Sequence, residues 1–107
     1  MESSFTALAD PTRRRIVEML SGGELSVGEI TQHFAVSAPA ISQHLKTLKA
    51  ARLVRVRVDA QRRFYAIDPD GLAEIDAWLS QVRRFWTPRL DALERELAAA
   101  AKKDKRK

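Results

Sequence analysis

Ser37-Ala38-Pro39-Ala40-Ile41-Ser42-Gln43-His44-Leu45-Lys46 is the stretch that decides the fold of this 107-residue chain. Ser37 can cap a helix by accepting a free N–H, and Pro39 is tolerated in the first turn, where the missing donor costs nothing. Ile41, Leu45 and, just beyond, Leu48 recur at i, i+4 and i+7, a narrow apolar stripe that turns one side of the helix toward a core. At about 100° per residue, Pro39, Ser42, Gln43, Lys46 and Ala50 then face away from that core. Such a face is small at its start, then polar, then cationic. It suits a major groove, with Ser42 and Gln43 near base edges and Lys46 near phosphate. The N–H groups beside Ser37 can meet a phosphate too.

Reading outward, Ser26-Val27-Gly28-Glu29 is a capping box that opens a short helix, buried through Val27, Ile30 and Phe34. Only Ala35-Val36 separates that helix from the next, the spacing of a helix-turn-helix, although the glycine usual in such a turn is missing. Asp10-Pro11 opens an earlier helix carrying Ile16, Val17 and Leu20, which Gly22-Gly23 ends. Ahead of it Phe5, Leu8 and Ala9 form a short apolar helix.

After Arg52 the period falls to two. Val54, Val56 and Val58 alternate with Arg55 and Arg57, Asp59-Ala60-Gln61 interrupts, and Arg63-Phe64-Tyr65-Ala66-Ile67 follows, which predicts a hairpin with a basic tip. Arg55, Arg57, Arg62 and Arg63 can reach phosphates or a minor groove. Asp68-Pro69 then opens a long helix. Leu72, Ile75, Leu79, Val82, Trp86, Leu90, Leu93 and Leu97 run along it as a near-heptad seam, and Thr87-Pro88 predicts a kink or a restart. The expected organisation is one domain over 1–101 and a basic, disordered tail over 102–107.

Composition narrows the function. The absence of cysteine excludes disulfides, thiolate metal sites and cysteine nucleophiles. No run approaches the roughly 20 apolar residues of a membrane helix, and Met1-Glu2-Ser3-Ser4 lacks a signal pattern, so a cytoplasmic protein with no membrane partner is expected. The net charge of +5 is concentrated: residues 39–65 hold seven Lys/Arg against one Asp, between flanks that are mildly acidic. That distribution suits an anionic partner. Arg13, Arg14 and Arg15 are successive on one helix and cannot share a face, so at least one is expected to pair with a carboxylate. For catalysis there is nothing: Ser42 and His44 are two apart on a helix and do not face each other, and no glycine-rich phosphate loop or HExxH appears. No cofactor is expected.

Three helices, a helix-turn-helix and a basic hairpin in this order describe a winged helix-turn-helix, mainly α with a small β-hairpin. Phe5-Thr6-Ala7-Leu8-Ala9-Asp10-Pro11-Thr12-Arg13-Arg14-Arg15-Ile16 resembles the N-terminal signature of the ArsR-type winged-helix regulators. The stretch from Ser37 to Lys46 resembles that family's recognition helix, and Leu48 through Tyr65 its run into the wing. The resemblance implies a homodimeric bacterial DNA-binding repressor acting on a double-stranded operator, dimerising through its first and last helices. The interface would then draw on Phe5, Leu8, Leu72, Ile75, Trp78, Leu79, Val82, Phe85, Trp86, Leu90, Leu93 and Leu97; large aromatics at helical spacing are what interfaces bury. His44 joins the expected DNA-binding set as a phosphate contact or a packing residue, and His33 is expected at the surface.

Departures from the family pattern bear on sensing. Metal-sensing members carry paired cysteines where this chain has Ser26 and Gly28. Others bind metal through Asp and His of the terminal helices, whereas the last helix here has Glu74, Asp76 and Asp91 but no histidine. No metal site is therefore expected. The closing segment around Trp78, Phe85 and Trp86 resembles a subgroup without these ligands, in which an organic effector at the dimer interface is an alternative means of release. A protein-interaction module is the other alternative, and it predicts that the basic wing is dispensable.

Overall fold

The computed structural model describes residues 2–105. Helix α1 (Glu2–Leu8) precedes α2 (Pro11–Leu20), and strand β1 (Leu25–Ser26) runs directly into α3 (Val27–Thr31). Helix α4 (Ala38–Ala50) leads to β2 (Val54–Asp59) and β3 (Arg62–Ile67), and α5 (Pro69–Lys105) follows. Each early helix starts on the cap that its sequence offers. The Asp10 carboxylate accepts the Arg13 N–H at 3.1 Å, and that bond holds its carboxyl below the usual range. At α3 the box is complete: Ser26 Oγ accepts the Glu29 N–H, and Glu29 Oε1 accepts the Ser26 N–H at 2.9 Å. The Ser26 bonds lower the Glu29 carboxyl pKa as well.

The core gathers around α4. Ile41, Leu45 and Leu48 are buried, together with Ile16 and Leu20 of α2, Ile30 of α3, and Leu53 and Val54 at the entry to the sheet. Side chains of this size contribute on the order of 1.5–3 kcal/mol each when fully buried. The sheet has three antiparallel strands in the order β1-β3-β2. Pairing runs from Val54↔Ile67 to Asp59↔Arg62, so Ala60 and Gln61 alone make the turn, with Ala60 at φ 55°.

Where α4 ends, Arg52 takes a left-handed conformation at φ 60°. Its carbonyl accepts the Gly71 N–H at 2.9 Å, and the Leu53 carbonyl accepts the Asp68 N–H at 3.0 Å, which ties the start of α5 to the end of α4. The buried Ser4 hydroxyl reaches the same corner, 3.3 Å from both the Ala51 carbonyl and Glu74 Oε2.

The structure differs from the sequence expectation in four places. Strand β1 adds a third strand to the hairpin, through Leu25↔Tyr65 and Ser26↔Phe64. Helix α3 stops at Thr31, so residues 32–37 form the connection, although Phe34 still packs against the core. Helix α5 does not restart at Pro88. A proline inside a helix removes one N–H, and the neighbouring Phe85 carbonyl gains a bond from the Arg89 guanidinium at 2.8 Å. Finally, α5 extends past residue 101 to Lys105, so the first part of the expected disordered tail is helical. Ala98 through Ala101 are the strongest helix formers, and the lysines beyond them suit the negative end of the helix dipole. Residues 106 and 107 of that tail lie outside the described residues.

The chain divides into two compact units, one ending at Ile75 and one beginning at Asp76. In the second unit the helix shows apolar side chains to solvent: Trp78, Leu79, Phe85, Trp86, Leu90, Leu93 and Leu97 are 42–61% exposed, and Val82 is half-buried. Phe85 and Trp86 meet edge to face with centroids 5.1 Å apart, and the Arg89 guanidinium lies 3.9 Å above Phe85.

Candidate nucleic-acid interface

Burial of Ile41, Leu45 and Leu48 leaves Pro39, Ser42, Gln43 and Lys46 exposed on the opposite side of α4. Ser37 Oγ caps the helix by accepting the Ala40 N–H at 3.3 Å. Between α4 and the hairpin lies a cleft of about 510 Å³ lined by Pro39, Ser42, Gln43, Lys46, Lys49, Arg63, Tyr65 and Val27. Three cations thus border the polar pair Ser42 and Gln43, an arrangement that can hold phosphate beside readable hydrogen-bonding groups. A second groove, about 570 Å³, runs along the other flank of α4 against α1, lined by Thr6, Ala7, Gln43, Lys46, Thr47, Ala50 and Ala51. Lys46 and Gln43 border both flanks of the helix, and Lys49 and Arg63 only the cleft.

The sheet register sorts the wing arginines into two faces. Arg55↔Ala66, Arg57↔Phe64 and Asp59↔Arg62 are cross-strand pairs, so these side chains share the face away from the cleft, while Arg63 belongs with Tyr65 on the cleft side. Arg62 and Arg63 also line a smaller hollow of about 250 Å³ with Gln61, Ser26, Val27 and Gly28 at the start of α3.

Two expected DNA-contacting residues are engaged elsewhere. Arg57 bonds Glu24 through two nitrogens, at 2.7 and 3.2 Å, and lies 3.7 Å from Asp59. The Arg57 guanidinium holds the Glu24 carboxyl below its usual pKa, and the carboxylate raises that of Arg57 in turn. His44 is half-buried, with Nδ1 3.2 Å from Arg13 Nη1, so it turns toward α2 and not toward Ser42 and Lys46. Its position on α4, beside Leu45 and Leu48, dictates that direction. Lone cationic side chains are easy to assign to DNA from sequence, and an acid distant in sequence can claim them once the chain folds.

The successive arginines of α2 separate as their spacing requires. Arg15 pairs with Glu18 at 3.6 Å, Arg14 bonds the Leu8 and Ala9 carbonyls, and Arg13 Nε donates to the Ala7 carbonyl at 2.6 Å. His33 is exposed, and its Nδ1 lies 2.9 Å from the Glu29 carbonyl. Lys49 and Tyr65 belong to no expected site in the sequence, yet both line the cleft. Lys49 is within reach of helical counting, since it stands seven residues after Ser42 on the same face. Tyr65 is not: its place follows from sheet register.

Ser26 Oγ is committed to its cap and Gly28 has no side chain. Among the described residues no three His, Cys, Asp or Glu side chains cluster. Of the interface residues expected on the first and last helices, Leu8, Leu72 and Ile75 pack against the chain's own core, Phe5 and Val82 are half-buried, and the others from Trp78 onward are the exposed set of the second unit. Among the described residues no helix is long and apolar enough to cross a membrane.

Comparison with known proteins gives a consistent result. Residues 10–56 match the family described as bacterial regulatory protein, arsR family. The HTH-type transcriptional regulator Rv2034 of Mycobacterium tuberculosis is 52% identical over 86 residues, which are 80% of this chain and 78% of that protein. The transcriptional repressor SdpR of Bacillus subtilis is 37% identical over 74% of this chain and 88% of its own length. A solved structure of a possible transcriptional regulator for arsenical resistance shares 43% identity at a TM-score of 0.71, covering 85% of this chain and 92% of that one.

Proposed function

From the premise that this chain belongs to the ArsR family and is a DNA-binding transcriptional regulator, not an enzyme, we propose that it acts as a homodimeric repressor of a two-fold operator. The observation that carries this reading is the outward face of α4, where exposed Ser42 and Gln43 open on a cleft bordered by Lys46, Lys49 and Arg63. Two protomers would set these faces in successive major grooves, about 34 Å apart. Ser42 and Gln43 meet base edges, and the cations of the cleft meet phosphate. A dimer bound across a promoter excludes polymerase. The exposed apolar side chains of the second unit support a second copy as their cover. Ser26 and Gly28 supply no metal ligand, so control by metal is not part of the proposal.

Fluorescence anisotropy tests it, with a labelled duplex from immediately upstream of its own gene beside a scrambled duplex, across a salt series and with or without zinc. Tight binding to the upstream duplex alone, weakening steeply with salt and indifferent to zinc, is the expected outcome. Equal weak binding to both duplexes would remove the operator from the reading, and a strong zinc effect would restore a metal.

A further inference from the structure

Arg57 differs from the other wing arginines in how completely it is held. Its Nη2 donates to Glu24 Oε1 at 2.7 Å and its Nε to Oε2 at 3.2 Å, a two-pronged bond that fixes the plane of the guanidinium. Beneath it lies Phe64, its cross-strand partner, with the ring centroid 4.6 Å from Cζ; Arg62 covers the same ring at 5.1 Å. Glu24 immediately precedes β1, and β1 is joined to β3 by only two residue pairs. The ion pair therefore adds a tie at the shortest seam of the sheet and links the chain before β1 to β2 on the far side of β3. Two of its five N–H donors are taken by Glu24, and its Nη1 lies 3.7 Å from Asp59, so a phosphate approaching this guanidinium meets two carboxylates that already share its charge.

We propose that Arg57 and Glu24 are positioning residues that set the wing for DNA, and that the wing's phosphate contacts fall to its other arginines, Arg63 foremost; this rests on the DNA-binding reading above. Single exposed ion pairs count for little, but the two-pronged geometry and the stacked ring raise this one above the ordinary surface pair. Glu24 then acts on DNA affinity although its charge is repelled by DNA. That is the signature to look for, because a carboxylate near a phosphate would otherwise be expected to weaken binding.

The experiment compares full-length wild type, Glu24→Gln, Arg57→Gln, the double variant and Arg63→Gln, measuring affinity for the upstream duplex across a salt series. Amide exchange of β2 and β3 is followed in the DNA-free proteins. Glu24→Gln and Arg57→Gln should each weaken binding on the order of threefold to tenfold, with nearly unchanged salt slope. The double variant should be no worse than the worse single one. Arg63→Gln removes one phosphate contact from each protomer of the proposed dimer and should reduce the salt slope by about 1.8 per bound dimer. Wing amides should exchange faster in both single variants. If Glu24→Gln instead binds more tightly with a slope steeper by about 1.8 per bound dimer, Arg57 is a phosphate contact restrained by Glu24 and the proposal is overturned. Unchanged wing exchange overturns it too. A wild-type protein with no salt-sensitive DNA binding would sink the DNA-binding reading instead, and the two failures are distinguishable because the wing amides report on the ion pair without DNA.

Discussion

At Gly71 the backbone N–H donates to the Arg52 carbonyl at 2.9 Å, and a Cβ added there would lie 2.4 Å from that oxygen and 2.8 Å from its carbon. Both atoms are backbone, and Arg52 is already at φ 60°, so neither side can yield cheaply. Gly71→Ala is predicted to cost about 2 kcal/mol or more, lowering the thermal midpoint by roughly 8 °C or more in a melt followed by circular dichroism. A melt within a degree or two of wild type would show that the corner is softer than its distances imply. Side chains that act within their own turn were legible in the sequence: Asp10, Ser26 and Ser37 all cap as their spacing demands. Gly71, Arg57 and His44 were not, since each depends on a partner brought near only by folding: Arg52, Glu24 and Arg13.

Among the elements, α4 was the most readable, because one apolar stripe at helical spacing settles both its core face and its outward face. The outward face is also where sequence preference should reside. Replacing Ser42 and Gln43 together with Ala is predicted to cost about 1–3 kcal/mol for each base edge no longer hydrogen-bonded, on the preferred duplex only. Binding to scrambled DNA should barely move, so the ratio of the two affinities is the quantity to measure; an unchanged ratio would mean that another face reads the bases. The hairpin was legible from its two-residue period and its turn. Strand β1 was not, because a two-residue strand has no periodicity of its own and exists only through its pairing with Tyr65 and Phe64. Helix α5 shows the opposite failure. Local rules gave Pro88 and the lysine-rich end too much power to stop a helix that is otherwise rich in Ala, Leu, Glu and Arg.

Across the whole molecule, the basic middle of the chain becomes the α4 and wing region, and the heptad-like seam divides: Leu72 and Ile75 join the core of the first unit, while Leu79, Trp86, Leu90, Leu93 and Leu97 are exposed in the second. Leu79 and Leu93 are 42% and 49% exposed. Leu79→Glu or Leu93→Glu therefore removes little from a single protomer's own packing, but places a charge in any surface shared with a second copy. Sedimentation should show these variants shifting from dimer to monomer while keeping their helical content, with loss of tight binding to the upstream duplex. Monomers that still bind that duplex as the wild type does would separate DNA binding from assembly.

The chain's optical residues are divided in the same way. Both of its tryptophans, Trp78 and Trp86, belong to the second unit, and its single tyrosine, Tyr65, is buried in β3 at the edge of the cleft. Indole emission from the unlabelled protein is therefore a probe of the second unit alone, with no tryptophan in the first to dilute it. A spectral shift on dilution would follow dissociation of the proposed dimer, and the phenol of Tyr65 would register what occupies the cleft.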